Sequence, residues 1–163
     1  MALIKKSPRR RVASAGQLRR SGDAAAAVEE LASVLTADPE DVAANVEMAR
    51  SLIMLEDAAG AEEHYRRALA AKLDFTLVIE LAHAIASQKR KREAFDYLDA
   101  AEEMTTVEKE LDVGEVWLAR AMIHAGSGKN AEAREALAKI PETSGTSVKD
   151  FARRMTEELP ADA

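Results

Sequence analysis

Two stretches of this chain repeat one another 34 residues apart: Ala27-Val28-Glu29-Glu30-Leu31-Ala32-Ser33-Val34-Leu35 is echoed by Ala61-Glu62-Glu63-His64-Tyr65-Arg66-Arg67-Ala68-Leu69. A period of this length belongs to stacked helical hairpins, each too small to bury its own apolar face and stable only against its neighbours. The repeat therefore constrains the fold before composition is consulted. It also directs function toward an extended binding surface rather than an enclosed catalytic site.

With the alanine opening each second helix as anchor, four copies align at Ala27, Ala61, Ala94 and Ala133. Four residues later stand Leu31, Tyr65, Leu98 and Leu137, nine residues before the anchors stand Leu18, Leu52, Ile85 and His124, and three before those stand Ala15, Ala49, Ala82 and Ala121. Small residues in fixed columns let helices approach, and the large ones fill the space between them. Aromatics make up 4% of the chain, so this core is built from Ala, Leu, Val, Ile and Met, which suits helix–helix packing.

These columns resemble the tetratricopeptide repeat. The second copy fits best, with Met48-Ala49, Leu52, Gly60-Ala61, Tyr65 and Ala68-Leu69. The first shows Ala15, Leu18, Gly22-Asp23, Ala27, Leu31, Val34-Leu35 and Pro39, the third Leu81-Ala82, Ile85, Ala94, Leu98 and Ala101, and the fourth Trp117, Ala121, Gly128, Ala133 and Leu137. The resemblance covers residues 8–141 and implies an all-α, right-handed α-solenoid of about four hairpins plus a C-terminal capping helix. The expected organisation is a basic arm over 1–7, an array over 8–141 (8–41, 42–74, 75–104 and 105–141), a linker and capping helix over 142–159, and a tail over 160–163.

Local signals sharpen and depart from this pattern. Asp38-Pro39-Glu40-Asp41 reads as a cap, a first-turn proline and two acids at the positive helix end. Gly22, Gly60 and Gly126–Gly128 mark turns or their edges, whereas the third copy has Lys89-Arg90-Lys91-Arg92 in place of a turn glycine. The fourth anchor comes 39 residues after the third, and Thr105-x-x-Glu108 reads as a capping box that starts the next helix early, near residue 106. Ser147-x-x-Asp150 opens the final helix, with Val148, Phe151, Met155 and Leu159 on one face. Arg11 and Ser14 replace bulky apolar residues in the first copy. Its first helix is expected to be loosely held, with Val12 and Leu18 inviting self-association.

Charge is distributed unevenly. Residues 1–22 carry Lys5, Lys6, Arg9, Arg10, Arg11, Arg19 and Arg20 and no acid, a charge of +7, against −13 for the rest. A basic arm on an acidic body suits nucleic acid, an anionic membrane or the acidic face of another copy. No apolar run reaches the roughly 18 residues that span a bilayer, and the amino terminus lacks the apolar stretch of a secretory signal. The acid-free, Arg-rich start is not read as a transit peptide, because the repeat begins inside it. The expected location is the cytoplasm, in keeping with the absence of cysteine.

The resemblance also implies that the first helices line a concave groove. By register this brings Arg9, Val12, Gly16 and Arg19, then Ala43, Val46, Arg50 and Ile53, then Thr76, Ile79, His83 and Ala86, then Glu115, Leu118, Met122 and Ala125 inward. The expected partner site is Val46, Arg50, Ile53, Ile79, His83, Leu118 and Met122, basic at its amino-terminal end and apolar toward the other. It suits a segment with Leu- or Ile-type anchors and an acidic flank, with Arg50 orienting the acids. The Lys, Arg and Asn clamp of co-chaperone arrays is absent, since Val12, Gly16, Glu47, Thr76 and Glu80 stand at the matching positions.

No chemistry competes with this reading. His64, His83 and His124 fall in different hairpins without metal-ligand spacing, His64 being expected at the surface and His124 in a packing slot. Gly126-Ser127-Gly128-Lys129 lacks the upstream glycine and following Ser or Thr of a phosphate loop. Consecutive acids such as Glu29-Glu30 diverge by about 100° on a helix and form solvated faces rather than acid–base pairs. No catalytic, cofactor or metal residue is assigned. The expected function is a non-catalytic adaptor or scaffold for a protein or peptide. The alternatives are a small chaperone of a secreted or assembly subunit, and docking to nucleic acid or membrane through the arm, with self-assembly.

Overall fold

Aspartate starts most of the helices. The computed structural model describes residues 7–160, and among these are nine α-helices and no strand. They are α1 (Pro8–Arg20), α2 (Ala24–Ala37), α3 (Val42–Met54), α4 (Ala58–Ala71), α5 (Phe75–Ser87), α6 (Lys91–Val107), α7 (Val113–Ala125), α8 (Asn130–Ala138) and α9 (Thr146–Glu158). Asp23, Asp41, Asp57, Asp74 and Asp112 cap α2, α3, α4, α5 and α7, each accepting a backbone N–H of the first turn at 2.8–3.1 Å. Ser7 caps α1, while α6, α8 and α9 start at Arg90, Lys129 and Gly145 without a side-chain cap bond.

The chain divides into two compact units after Gln88. The boundary falls inside 75–104, the segment read as the third hairpin, so α5 ends the first unit and α6 opens the second.

In the first unit α1 packs on α2, α2 on α3, α3 on α4 and α4 on α5. Its amino-terminal core gathers Ala15, Ala27, Leu31, Val34, Ala44 and Met48, with Val12, Leu18 and Leu52 packed against them. Val12 and Leu18 are thus half-buried in this core, and α1 is held along its length rather than loosely. In the second unit α7 packs against α6, α8 and α9. Ala121, Ala136 and Leu137 form a cluster there with Trp117, Leu118, Ile140, Ala152, Met155 and Leu159. The four anchor alanines are all fully buried.

Several local expectations are corrected. Asp38 ends α2 and accepts from the Glu40 N–H in a turn, so the cap of α3 is Asp41 and Pro39 lies outside the helix. Thr105 and Thr106 do not start a helix: their hydroxyls donate back to the Glu102 and Glu103 carbonyls within the last turns of α6. The 39-residue spacing is therefore taken up by a 17-residue α6 and the following turn, with α7 starting at Val113. Ser147 lies inside α9, after Gly145. Phe151 is 40% exposed, and the packed face of that helix is Val148, Ala152, Met155 and Leu159.

The short turns that follow α1, α3, α5 and α7 share one backbone feature. Gly22, Glu56, Lys89 and Gly128 all have a positive φ, at 92°, 62°, 65° and 73°. Gly60 sits at the edge of its turn, in the first turn of α4, and the left-handed position of that copy is Glu56. Lys89 fills the same position in the copy that lacks a glycine.

Candidate functional site

The first helices of the first unit carry an alternating ladder of charge. Arg19 of α1 donates through Nε to Glu47 of α3 at 2.9 Å. The other Glu47 oxygen faces Arg50 Nη1 at 3.6 Å, and Arg50 donates to Glu80 of α5 through Nε and Nη2 at 2.9 and 2.8 Å. Tyr65, buried on α4, lies near Glu80. Burial, and then the Glu80 charge, push its phenol far above the usual range. The ladder is half-buried and sums to zero. It takes two of the expected groove cations out of play, because Arg19 and Arg50 are held by Glu47 and Glu80, while Arg9 stays exposed on α1. Gly16 makes room for it: a Cβ there would come within 3.3 Å of the Glu47 carboxylate.

Beside this ladder lie two recesses. One, of about 400 Å³, lies between α1 and α3, with Val12, Ala13, Gly16, Ala43 and Val46 between Arg20 and Arg50. The other, of about 350 Å³, is lined by Val42, Val46 and Arg50 of α3, by Lys72 and Asp74, and by Thr76 and Leu77 of α5. Val46 and Arg50 belong to both. Ile53 is exposed and forms an apolar edge with Met54 and Leu55 at the end of α3. Ile79 is only 8% exposed and belongs to the core, so it is no accessible anchor. His83 is half-buried, and burial holds its pKa below the ordinary histidine value.

Within the second unit, Leu118 is half-buried against the Ala121–Ala136–Leu137 cluster and Met122 is 40% exposed. Met122 shares a recess of about 360 Å³ with Phe151, Arg154, Met155 and Glu158 of α9. The Arg154 guanidinium stands 5.6 Å from the centre of the Phe151 ring. One carboxylate places α9: Asp112 accepts from the Gly114 N–H, the Ser144 hydroxyl and the Gly145 N–H, each at 2.8 Å. Burial works to raise its pKa, but these three donors outweigh burial and hold it below the ordinary carboxylate value.

Of the basic residues, Lys5 and Lys6 lie outside the described residues. Arg9, Arg10 and Arg20 are exposed on α1, and Arg11 bonds the Ser33 hydroxyl of α2. Sequence reading missed two buried polar arrangements. Asn45 is fully buried and donates to the Pro39 and Asp41 carbonyls at 2.8 and 2.9 Å. Its oxygen is therefore the acceptor for His64 Nδ1–H at 2.7 Å, and His64 is half-buried rather than a surface group. In the second unit Arg120 lies 5.1 Å from the Trp117 ring centre and pairs with Asp99 and Glu102. An asparagine in an amphipathic helix is the signal that pointed to the first. The Arg120 cluster has no short-range signal, since its partners lie about 20 residues away. His124 packs against Phe95 at 5.0 Å between ring centres, in the slot expected for it.

Among the described residues no group of three or more His, Cys, Asp or Glu is placed to hold a metal, and no helix is long and apolar enough to cross a membrane. Residues 18–85 match the tetratricopeptide repeat family model. No curated protein matches the chain. Among solved structures, PilF of Pseudomonas aeruginosa superposes with a TM-score of 0.64 at 20% identity, over 97% of this chain and 80% of that one. MamA gives 0.60 at 19% identity over 88% and 90%, and a MamA point mutant gives 0.62 at 15% over 95% and 81%. At these identities the likeness shows a shared fold.

Proposed function

We propose that this tetratricopeptide-repeat chain, a member of that family over residues 18–85, is a non-catalytic adaptor. It holds a partner segment against the α1–α3–α5 face of its first unit. The observation that carries this reading is the meeting of two recesses at Val46 and Arg50. A segment crossing them places one apolar side chain on each side of Val46. Each such burial contributes about 1.5–3 kcal/mol, and part of it is offset by ordering the segment, so these two contacts alone support binding on the millimolar scale and tighter affinity draws on further contacts along the face. The contact set is Val46 with Val12, Ala43 and Val42, flanked by the paired Arg50. Ile53 is an exposed apolar residue farther along α3, and Ile79 is buried on α5 and makes no part of the contact set.

The test is selection of a displayed random peptide library on the immobilised full chain, followed by calorimetry with a selected peptide. Val46→Asp, checked by circular dichroism, is expected to weaken binding at least about tenfold. Val46→Ala, which keeps the surface apolar, is expected to weaken it less. Equal affinity for wild type and a folded Val46→Asp would overturn the reading.

A chaperone role draws on a different feature, the Met122–Phe151–Met155 recess, because methionine repacks around varied apolar clients. It predicts stoichiometric co-purification with one client, lost on Met122→Asp and kept on Val46→Asp.

A further inference from the structure

One wall of the α1–α3 recess carries no acid. α1 has Arg9, Arg10, Arg11, Arg19 and Arg20 and neither Asp nor Glu. Arg19 is engaged by Glu47 and Arg11 by Ser33. Arg9, Arg10 and Arg20 are exposed and have no ion-pair partner among the described residues. Positions 9, 13, 16 and 20 follow the i+3/i+4 spacing of a single helix face. Arg9 and Arg20 therefore bracket Ala13 and Gly16 on that face, about 16 Å apart along the axis. The recess has a small apolar floor with Arg20 and Arg50 on its rim beside the paired Glu47, and Arg9 continues the same face of α1 beyond it; it suits one aliphatic side chain flanked by carboxylates.

The second unit presents that chemistry. Val107, the last residue of α6, is 81% exposed, the highest value of any large hydrophobic among the described residues. Glu103 precedes it, and Glu108 and Glu110 follow, all three exposed. A turn closed by the Leu111 N–H on the Glu108 carbonyl at 3.2 Å presents the segment at a helix end. A valine left this bare gains free energy on leaving water. With Lys109 between them the carboxylates still leave the turn net acidic, and they meet α1, which carries no acid.

We propose that the α1–α3 recess of one copy receives the Val107 turn of a second copy, so that the chain associates head to tail. The inference rests on the adaptor reading, because it uses the same recess. It adds that a second copy competes with the partner for that recess. Donor and acceptor are different surfaces, so the contact is heterologous and builds open chains or rings rather than a closed two-fold dimer.

The test is sedimentation velocity of the full chain across a concentration series. The samples are wild type, Val107→Asp, the Arg9→Glu/Arg20→Glu double variant, and an equimolar mixture of the two variants. All substitutions are at exposed positions, and circular dichroism checks the fold. The wild-type sedimentation coefficient is expected to rise with concentration. Each variant alone is expected to need at least about tenfold more protein to do so. The mixture is expected to form a dimer and stop there, since it combines one intact recess with one intact turn. Salt near 1 M, where the screening length is about 3 Å, is expected to weaken the wild-type association. A wild type that stays monomeric, variants that associate like it, or a mixture that does not pair would each overturn the proposal. Binding of a library-selected peptide to Val107→Asp separates the two claims. If that peptide binds while wild type is monomeric, the adaptor reading stands and self-association falls; if it also fails, both fall.

Discussion

Arg50 grips Glu80 with two hydrogen bonds, Nε at 2.9 Å and Nη2 at 2.8 Å, across 30 residues of chain. The pair ties α3 to α5 and occupies the cation that a groove reading assigns to the partner. Glu80→Ala is expected to destabilise the chain by about 1–2 kcal/mol, because it removes the acceptor of a part-buried guanidinium. A double-mutant cycle with Arg50→Met in urea unfolding measures the coupling. The same variant frees Arg50 at the edge of both recesses, so a bound peptide carrying acids is expected to bind more tightly even as the protein loses stability.

The shared left-handed turn position gives a prediction of opposite sign in different copies. Glu56 and Lys89 hold a positive φ with a Cβ present, a strain of about 1 kcal/mol each. Glu56→Gly and Lys89→Gly are expected to raise stability by about 0.5–1 kcal/mol, while Gly22→Ala and Gly128→Ala lower it by about 1 kcal/mol. Thermal unfolding of the four variants checks the pattern.

Asp112 serves two elements at once, the start of α7 and the loop that opens α9. Asp112→Ala is expected to cost about 2–3 kcal/mol by leaving the Gly114 and Gly145 N–H groups and the buried Ser144 hydroxyl without their acceptor. Trp117, which packs in the cluster with α9, reports the loosening by fluorescence. The folded pKa of Asp112 lies below its ordinary 3.8, so its contribution is full above that value and is lost as pH falls through the folded pKa. The acid limb of the stability curve is expected to be shallower in the variant.

The three histidines act in the same direction on a different pH range. Burial is the leading cause that holds His64, His83 and His124 below the ordinary 6.5. The unfolded chain therefore binds protons first, and stability falls as pH drops below 6.5 until the folded pKa values are passed. The His64–Asn45 bond itself survives protonation, since Nδ1–H remains the donor. Urea midpoints between about pH 7 and pH 5 are expected to decline less in a His64→Gln/His83→Gln/His124→Gln variant than in wild type.

The packing columns were readable because each rests on spacing within one hairpin. Ala27, Ala61, Ala94 and Ala133 are buried for the same steric reason in each copy. The ladder was not readable in that way. Register places Glu47, Glu80, Arg19 and Arg50 on the groove side, but their pairing joins residues 28 and 30 apart through helix stacking. The start of α7 was misplaced because a Thr-x-x-Glu sequence fits a helix beginning as well as an ending. The hydroxyls of Thr105 and Thr106 chose the carbonyls behind them. Asp112-Val113-Gly114 held the signal for the true start, an acid two residues before a glycine whose added Cβ would overlap the Ser144 hydroxyl. Ile79 shows the limit of register arguments: it keeps the first-helix spacing, yet α5 turns it into the core.

The measurement that bears most directly on the adaptor account is amide chemical-shift mapping of the full chain with a library-selected peptide. The account predicts that the largest changes fall on α1, α3 and α5 and centre on Val46 and Arg50, while α2 and α4 stay quiet. Changes confined to α2 and α4, or to the second unit with Val46 unmoved, would contradict it.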